Sequence, residues 1–202
     1  MAHEIWKSTQ ITPGIEDEAF IRDQVPMTKE EVRCISICKL HLQKDSVVYD
    51  VGSGTGSIAV ELSLCSPDMR VYAIETNPAA VELIRKNRDK FACENMKIIE
   101  AMAPEGFEAL PTPTHAFIGG SKGNLREILE GLYQKNPSLR VVMNAVSMES
   151  ICQMQGLLKE LPVKDVEILE LQVSKSRELG SYHMLQANNP VFIFAFSFTE
   201  VK

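Results

Sequence analysis

The chain has 202 residues, which is enough for one domain with a substantial core. It carries 21 Lys and Arg against 27 Asp and Glu, a net charge of −6, and 45% of its residues are apolar. Because the basic residues are scattered rather than clustered, this balance disfavours a nucleic acid or an anionic membrane as partner.

The first predicted elements are an irregular segment and a helix. Turn signals at Pro13 and Pro26 predict that residues 1–27 are irregular and close over a cleft, with one domain following over residues 28–202. Thr28, with Glu31 three residues later, fits a capping box, which predicts a helix from there to about residue 43.

From residue 46 onward, short apolar runs alternate with amphipathic segments, as in a mostly parallel sheet. Strands are predicted at 46–51, 71–74, 96–99, 116–118 and 140–145, with helices at 57–64, from 78, at 125–133 and at 148–161. Two further strands, 166–174 and 190–198, follow each other without a helix between them. We therefore expect an α/β fold with helices on both faces of a seven-stranded sheet whose last strand is antiparallel. Ligands should bind outside the carboxyl ends of its strands.

A glycine-rich turn connects the first strand of this sheet to its helix. Residues 50–56 have an Asp followed by three glycines, each two positions from the next, at Gly52, Gly54 and Gly56. Such a turn lets the backbone approach a ligand closely and leaves helix N–H groups free to bind it. A nicotinamide dinucleotide fingerprint would instead place its third glycine three positions after the second. An NAD-dependent oxidoreductase is therefore the less favoured alternative.

This pattern resembles motif I of the Rossmann-like class I methyltransferases. The resemblance implies that the loop wraps the amino-acid half of S-adenosylmethionine. It also implies that Glu75, at the end of the second strand, accepts hydrogen bonds from the ribose hydroxyls. Asp50 would either hold the loop or meet the ammonium of the methionine moiety through its neighbours.

Several further segments are more specific. They are residues 14–22, 26–33, 72–78, 103–105, 117–121, 142–146 and 189–191. In this order they resemble the decarboxylating cobalt-precorrin-6B C15-methyltransferases of cobalamin biosynthesis. The resemblance implies methylation at C15 of the tetrapyrrole and decarboxylation of its C12 acetate. It also implies assembly as a homo-oligomer, often a tetramer. The alternative is a class I methyltransferase for another small molecule.

The resemblance also assigns site residues by position. The expected cofactor contacts are Thr28, Gly52, Ser53, Gly54, Thr55, Gly56, Glu75 and Ala103. Two positions depart from the family: Met102 stands where an Asp is common, and His115 replaces an Asp. No catalytic acid or base is assigned, because an activated methyl group needs mainly a well-oriented acceptor carbon.

The substrate carries many carboxylates, and the turn after the fourth strand offers groups to meet them. Gly120, Ser121 and Lys122 combine backbone donors, a hydroxyl and a cation ahead of a helix. Asn144, at the end of the fifth strand, either orients a carboxylate or satisfies backbone groups. Lys122 has a plain alternative as a solvated surface residue.

The cysteines and the hydropathy of the chain bear on its location. Five cysteines without paired spacing indicate neither a disulfide framework nor a metal site, and they are typical of a reducing compartment. The first residues lack a signal peptide's apolar stretch, and no apolar run approaches bilayer length. The expected location is the cytoplasm.

Overall fold

The computed structural model describes residues 13–200 and confirms the predicted α/β architecture. Nine strands are described: β1 Val47–Val51, β2 Arg70–Glu75, β3 Met96–Glu100, β4 His115–Ile118, β5 Arg140–Ala145, β6 Val163–Leu171, β7 Ser174–Leu179, β8 Tyr182–Ala187 and β9 Val191–Phe198. Five α-helices are described with them: α1 Glu30–Leu40, α2 Ser57–Cys65, α3 Pro78–Lys90, α4 Leu125–Lys135 and α5 Met148–Glu160.

Seven strands form the main sheet in the order β3-β2-β1-β4-β5-β9-β6. Every pairing from β3 to β5 is parallel, whereas β9 is antiparallel to both β5 and β6. The last strand is therefore antiparallel, as predicted. The order reverses at β1, so the carboxyl ends of β1 and β4 lie beside the switch point where ligands bind in such sheets.

The sheet is buried on both faces, which is why its central strands are continuous apolar runs. Along β1, Tyr49 and its alternate neighbours pack into one apolar cluster with α4 and α5, whereas Val48 belongs to a second cluster with α1, α2 and α3. Successive side chains of a strand point to opposite faces. Helices therefore cover both faces, as the sequence predicted.

The predicted start and end of the first helix are wrong. The helix begins at Glu30, with Lys29 in the N-cap position and no side-chain cap, so Thr28 does not form the expected capping box. Asp17 caps the start of the helix instead, because its carboxylate accepts a hydrogen bond from the Glu30 backbone N–H (3.1 Å). At the other end the helix stops at Leu40, and His41 adopts a left-handed conformation.

A β-hairpin, β7–β8, replaces the loop predicted between the last two strands. All twelve of its strand residues are exposed, so its sequence lacks the alternation of apolar and polar residues that marks a strand with one buried face. Its signal is the turn: Leu179 pairs with Tyr182, and the intervening Gly180 and Ser181 are a two-residue hairpin sequence.

No helix of residues 13–200 has the length and hydropathy needed to span a membrane.

Candidate functional site

A cavity of about 630 Å³ opens at the carboxyl ends of the parallel strands. One wall comes from the turns after β1, β2 and β4, and another from residues 25–29, which precede α1. The ends of β5 and β6 and the start of β9 complete it. The sheet topology predicts a site at this edge, and the described residues place the cavity there.

The glycine loop is held tightly between β2 and the turn after β4. The backbone N–H of Gly52 donates to the carbonyl of Ile74 (2.9 Å), and Gly119 N–H donates to Val51 (2.9 Å). Gly52 has φ +68°, and a Cβ built on it would lie 2.4 Å from the carbonyl oxygen of Gly120. Only glycine fits there, because the backbones of the two turns nearly touch.

Glu75 organises this loop through its buried carboxylate. The carboxylate is 7% exposed and accepts backbone hydrogen bonds from Gly54 (3.0 Å), Thr76 (2.8 Å) and Asn77 (2.8 Å). A carboxylate offers about four lone-pair positions, so roughly one remains for a further donor. Lys122 Nζ lies 4.0 Å from Glu75 Oε1.

Asp50 is fully buried behind the loop. Its Oδ2 accepts a hydrogen bond from the Ser53 hydroxyl (2.5 Å), while its Oδ1 has no hydrogen-bond partner among the described residues. Burial raises the pKa of Asp50 to about 7 and the Glu75 charge adds to this, whereas the Ser53 hydroxyl and the Ala59 backbone N–H oppose it. A cationic group beside Oδ1 would restore the ionised form.

The structure brings most of the predicted site residues to one cavity. Those that line it are Thr28, Gly52, Ser53, Gly54, Glu75 and Ala103 of the cofactor set, and Gly120, Ser121, Lys122 and Asn144 of the substrate set. Their contacts with ligands stay predictions.

Thr55 and Gly56 do not line the cavity. The chain turns away from it at these residues to begin α2, and Thr55 is 1% exposed. A Cβ on Gly56 would lie 3.2 Å from Ile84 Cγ2, so this glycine permits close packing of α2 on α3 rather than approach to a ligand. The structure gives these two residues packing roles, and their contacts with the cofactor stay predictions.

The two positions that depart from the family lie in different places. Met102 lines the cavity beside Ala103. His115 lies at the amino end of β4, whereas the cavity lies beyond the carboxyl end of that strand. Burial lowers the pKa of His115 to about 4, so the imidazole is neutral near pH 7. The replacement of the family's Asp by His115 therefore removes no group from the cavity.

Several further lining residues were not predicted individually, and they come from the segment before α1 and from the ends of β5, β6 and the hairpin together with the start of β9. They are Val25, Pro26, Met27, Lys29, Val146, Leu171, Val173, Asn188, Asn189 and Val191. The hairpin brings the last group together, because Asn188 N–H closes its base on the carbonyl of Val173 (2.8 Å). The missed signal was the hairpin turn at Gly180.

The strand order, the antiparallel β9, the glycine loop after β1 and the acid ending β2 together define a Rossmann-like methyltransferase. The family is more specific. Residues 18–197 match the model of the precorrin methyltransferase domain, and the chain belongs to this family.

Named relatives agree with this assignment. The chain is 37% identical over 183 residues to the cobalt-precorrin-6B C(15)-methyltransferase (decarboxylating) of Salmonella typhimurium, an alignment that covers 90% of this chain and 94% of that protein. The crystal structure of precorrin-6y C5,15-methyltransferase from Geobacter metallireducens is similar, with a TM-score of 0.87, 36% identity and 94% and 97% coverage. Precorrin 8W decarboxylase from Methanobacterium thermoautotrophicum has a TM-score of 0.83, 34% identity and 93% and 100% coverage. The resemblance seen in the sequence is confirmed.

Proposed function

We propose that this protein transfers a methyl group from S-adenosylmethionine to C15 of cobalt-precorrin-6B and removes the carboxyl group of the C12 acetate. The observation that carries the proposal is one continuous cavity with two unlike halves. The half around the glycine loop contains two buried carboxylates, and the half around the hairpin base is uncharged. The Salmonella relative is named for both reactions.

The residues of the first half fit the methyl donor. Gly52 and Gly54 present their backbone to the cavity for the methionine moiety, and the buried Asp50 carboxylate behind them meets its ammonium group through its neighbours. Glu75 keeps acceptor capacity for the ribose, and Met102 offers an apolar wall for the adenine. When bound, S-adenosylmethionine supplies a methyl group that its sulfonium already activates. The protein has to hold the acceptor carbon in line with that group and exclude water.

The second half supports the loss of carbon dioxide. Val146, Leu171, Val173 and Val191 line it together with neutral asparagines, and no charged side chain of the described residues lies among them. Two lysines line the cavity apart from this wall: Lys29 pairs with Asp17 (3.4 Å), and Lys122 lies 4.0 Å from Glu75.

An uncharged wall removes water from an acetate carboxylate without neutralising it, which favours the charge-dispersed transition state. The bond between the carboxyl carbon and its methylene carbon breaks, and its electron pair enters the conjugated macrocycle. Carbon dioxide leaves, and a proton from solvent then completes the new methyl group at C12.

The direct test is incubation with cobalt-precorrin-6B and S-adenosylmethionine, followed by mass spectrometry. We expect a product that has gained one methyl group and lost one carbon dioxide. A methylated product that keeps all its carboxyl groups would contradict the decarboxylating function.

A single-site variant tests the uncharged wall. Val173→Lys places a cation where it would stabilise the ground-state carboxylate, so the methylated but undecarboxylated intermediate should accumulate. Val173→Met, which is large but neutral, is the control and should decarboxylate normally. Equal decarboxylation by the two variants would refute the role of the wall.

Calorimetry separates this proposal from the oxidoreductase alternative. We expect micromolar affinity for S-adenosylhomocysteine and no comparable affinity for NADH. Preference for NADH would reject the methyl-donor assignment.

The hairpin supports a homo-oligomer. Leu179, Tyr182 and Met184 lie on the same face of the hairpin and are 65%, 72% and 56% exposed. A two-stranded hairpin is marginally stable by itself, and apolar clusters of this kind mark interfaces. A second copy of the chain is the expected partner, and Met184→Lys should reduce the mass measured by light scattering. An unchanged mass would exclude the hairpin from the interface.

The location that best fits is the cytoplasm. All five cysteines are described and all are free, as expected in a reducing compartment. Fractionation of the producing cells tests this, and recovery outside the cytoplasm would contradict it.

A further inference from the structure

Residues 14–29, called here the strap, cross the helices beside the glycine loop before α1 begins. The strap contains only a short 3-10 turn, Asp17–Ala19, and its last five residues, 25–29, line the cavity. Because it has almost no regular structure, its backbone polar groups need partners from elsewhere. Buried side chains of the helices supply them.

Arg33 and Glu61 fix the first part of the strap. The Arg33 side chain is fully buried and donates to Asp17 Oδ1 (2.7 Å), the carbonyl of Thr28 (2.5 Å) and the carbonyl of Ile15. Its Nε donates to Glu61 Oε1 (2.8 Å), and Glu61 in turn accepts the N–H groups of Gly14 (2.9 Å) and Ile15 (3.2 Å). Burial works to raise the pKa of Asp17, but the hydrogen bonds and charges of Arg33 and Lys29 outweigh it and hold that pKa low.

Asn87 on α3 fixes the middle of the strap and joins it to the glycine loop. Asn87 is fully buried, and its Oδ1 accepts the N–H of Ile21 (2.8 Å). Its Nδ2 donates to the carbonyl of Ile21 (3.0 Å) and also to the carbonyl of Thr55 (2.9 Å). Both N–H donors and one acceptor position of this amide are therefore divided between the strap and the loop.

The strap and the loop also meet directly. A Cβ built on Gly54 would lie 3.1 Å from the carbonyl oxygen of Pro26, so the backbones are in close approach. A displacement of the strap would change the shape of the loop at the residue whose N–H is held by Glu75.

We propose that Asn87 is a positioning residue for the methyl donor: it couples the strap to the glycine loop, so that donor binding and fixing of the strap support each other. Asn87 does not line the cavity and acts through Ile21 and Thr55. The inference rests on the donor site of the proposed function, but not on the identity of the methyl acceptor.

Asn95 provides a matched control. Its Nδ2 donates to three backbone carbonyls, those of Ser63 (3.1 Å), Ser66 (3.0 Å) and Met69 (3.0 Å). It lies at the amino end of β3, whereas the cavity lies at the carboxyl ends of the strands. Asn95→Ala therefore removes a similar set of hydrogen bonds without touching the strap or the loop.

The test compares Asn87→Ala, Asn95→Ala and the wild type for thermal stability and for S-adenosylhomocysteine affinity, measured well below the lowest Tm. Both variants should melt earlier, but only Asn87→Ala should bind the ligand about tenfold more weakly, which corresponds to about 1.4 kcal/mol. Equal affinities of the two variants would show that Asn87 is merely structural and would overturn the inference. Absence of binding by the wild type would instead overturn the proposed function.

A measurement on the wild type alone covers the case in which Asn87→Ala does not fold. Hydrogen exchange at the backbone amide of Ile21, and at those of Gly14 and Ile15, should slow several-fold when S-adenosylhomocysteine is saturating. Exchange at these amides that the ligand leaves unchanged would overturn the coupling.

Discussion

Replacement of Gly52 by alanine tests whether the close approach of the two turns builds the donor site. The new Cβ would lie 2.4 Å, 2.7 Å and 2.9 Å from the carbonyl oxygen, nitrogen and carbonyl carbon of Gly120. These are backbone atoms that cannot rotate away, so the glycine loop and the turn after β4 must move apart. Overpacking of this kind costs about 1–3 kcal/mol. The left-handed backbone of an alanine costs about 1–2 kcal/mol more. The lower conformational entropy of the unfolded chain with alanine offsets about 0.4–1 kcal/mol of this cost.

Gly180→Ala is the matched control for this experiment. Gly180 also has a left-handed φ (+63°), but nothing lies within 4 Å of a Cβ there. Urea unfolding should show a loss of about 2–4 kcal/mol for Gly52→Ala and about 1 kcal/mol or less for Gly180→Ala. Calorimetry should show weakened S-adenosylhomocysteine binding only for Gly52→Ala. Equal stability losses, or unchanged affinity in Gly52→Ala, would refute the reasoning.

Three further predictions follow from the buried ionisable groups. Donor affinity should rise as pH rises through about 7, because Asp50 ionises there and an ammonium prefers the carboxylate; calorimetry on Asp50→Asn should show no such rise. Asp50 also stabilises the fold at low pH, because its pKa is raised from 3.8 to about 7. This stabilisation is fully present below pH 3.8 and is lost as pH rises through 7. Urea titrations of Asp50→Asn should not show the loss. The pH dependence from His115 has the opposite direction, because its pKa is lowered from 6.5 to about 4. The free energy of unfolding of the wild type should therefore fall as pH falls from 6.5 to 4. A His115→Gln variant that kept the same slope would contradict this.

The sheet could be predicted from the sequence because its central strands are buried on both faces and several of its helices are amphipathic. The run at Val47–Val51 is wholly apolar apart from Asp50, and that exception lines the cavity. The donor half of the site could also be predicted. Gly52 follows β1 and Glu75 ends β2, and these two strands pair side by side in the sheet.

The other walls of the cavity could not be predicted in the same way. They depend on the hairpin, whose exposed residues carry no periodic signal, and on the strap, which is ordered by side chains remote in sequence. Asn87 lies 66 residues from Ile21 in the sequence. An asparagine within a helical pattern gives no sign that its side chain will bind a buried backbone group. The failure to predict the helix cap has the same cause. Asp17 caps the helix in place of Thr28, and only the tertiary fold brings Asp17 to Glu30.

The central claim is that the loop after β1 and the carboxylate after β2 bind the methyl donor. A crystal structure of the protein with S-adenosylhomocysteine tests it most directly. We expect a ribose hydroxyl within hydrogen-bonding distance of Glu75 and the amino-acid moiety against residues 52–54. A nucleoside bound elsewhere, with its ribose away from Glu75, would contradict it.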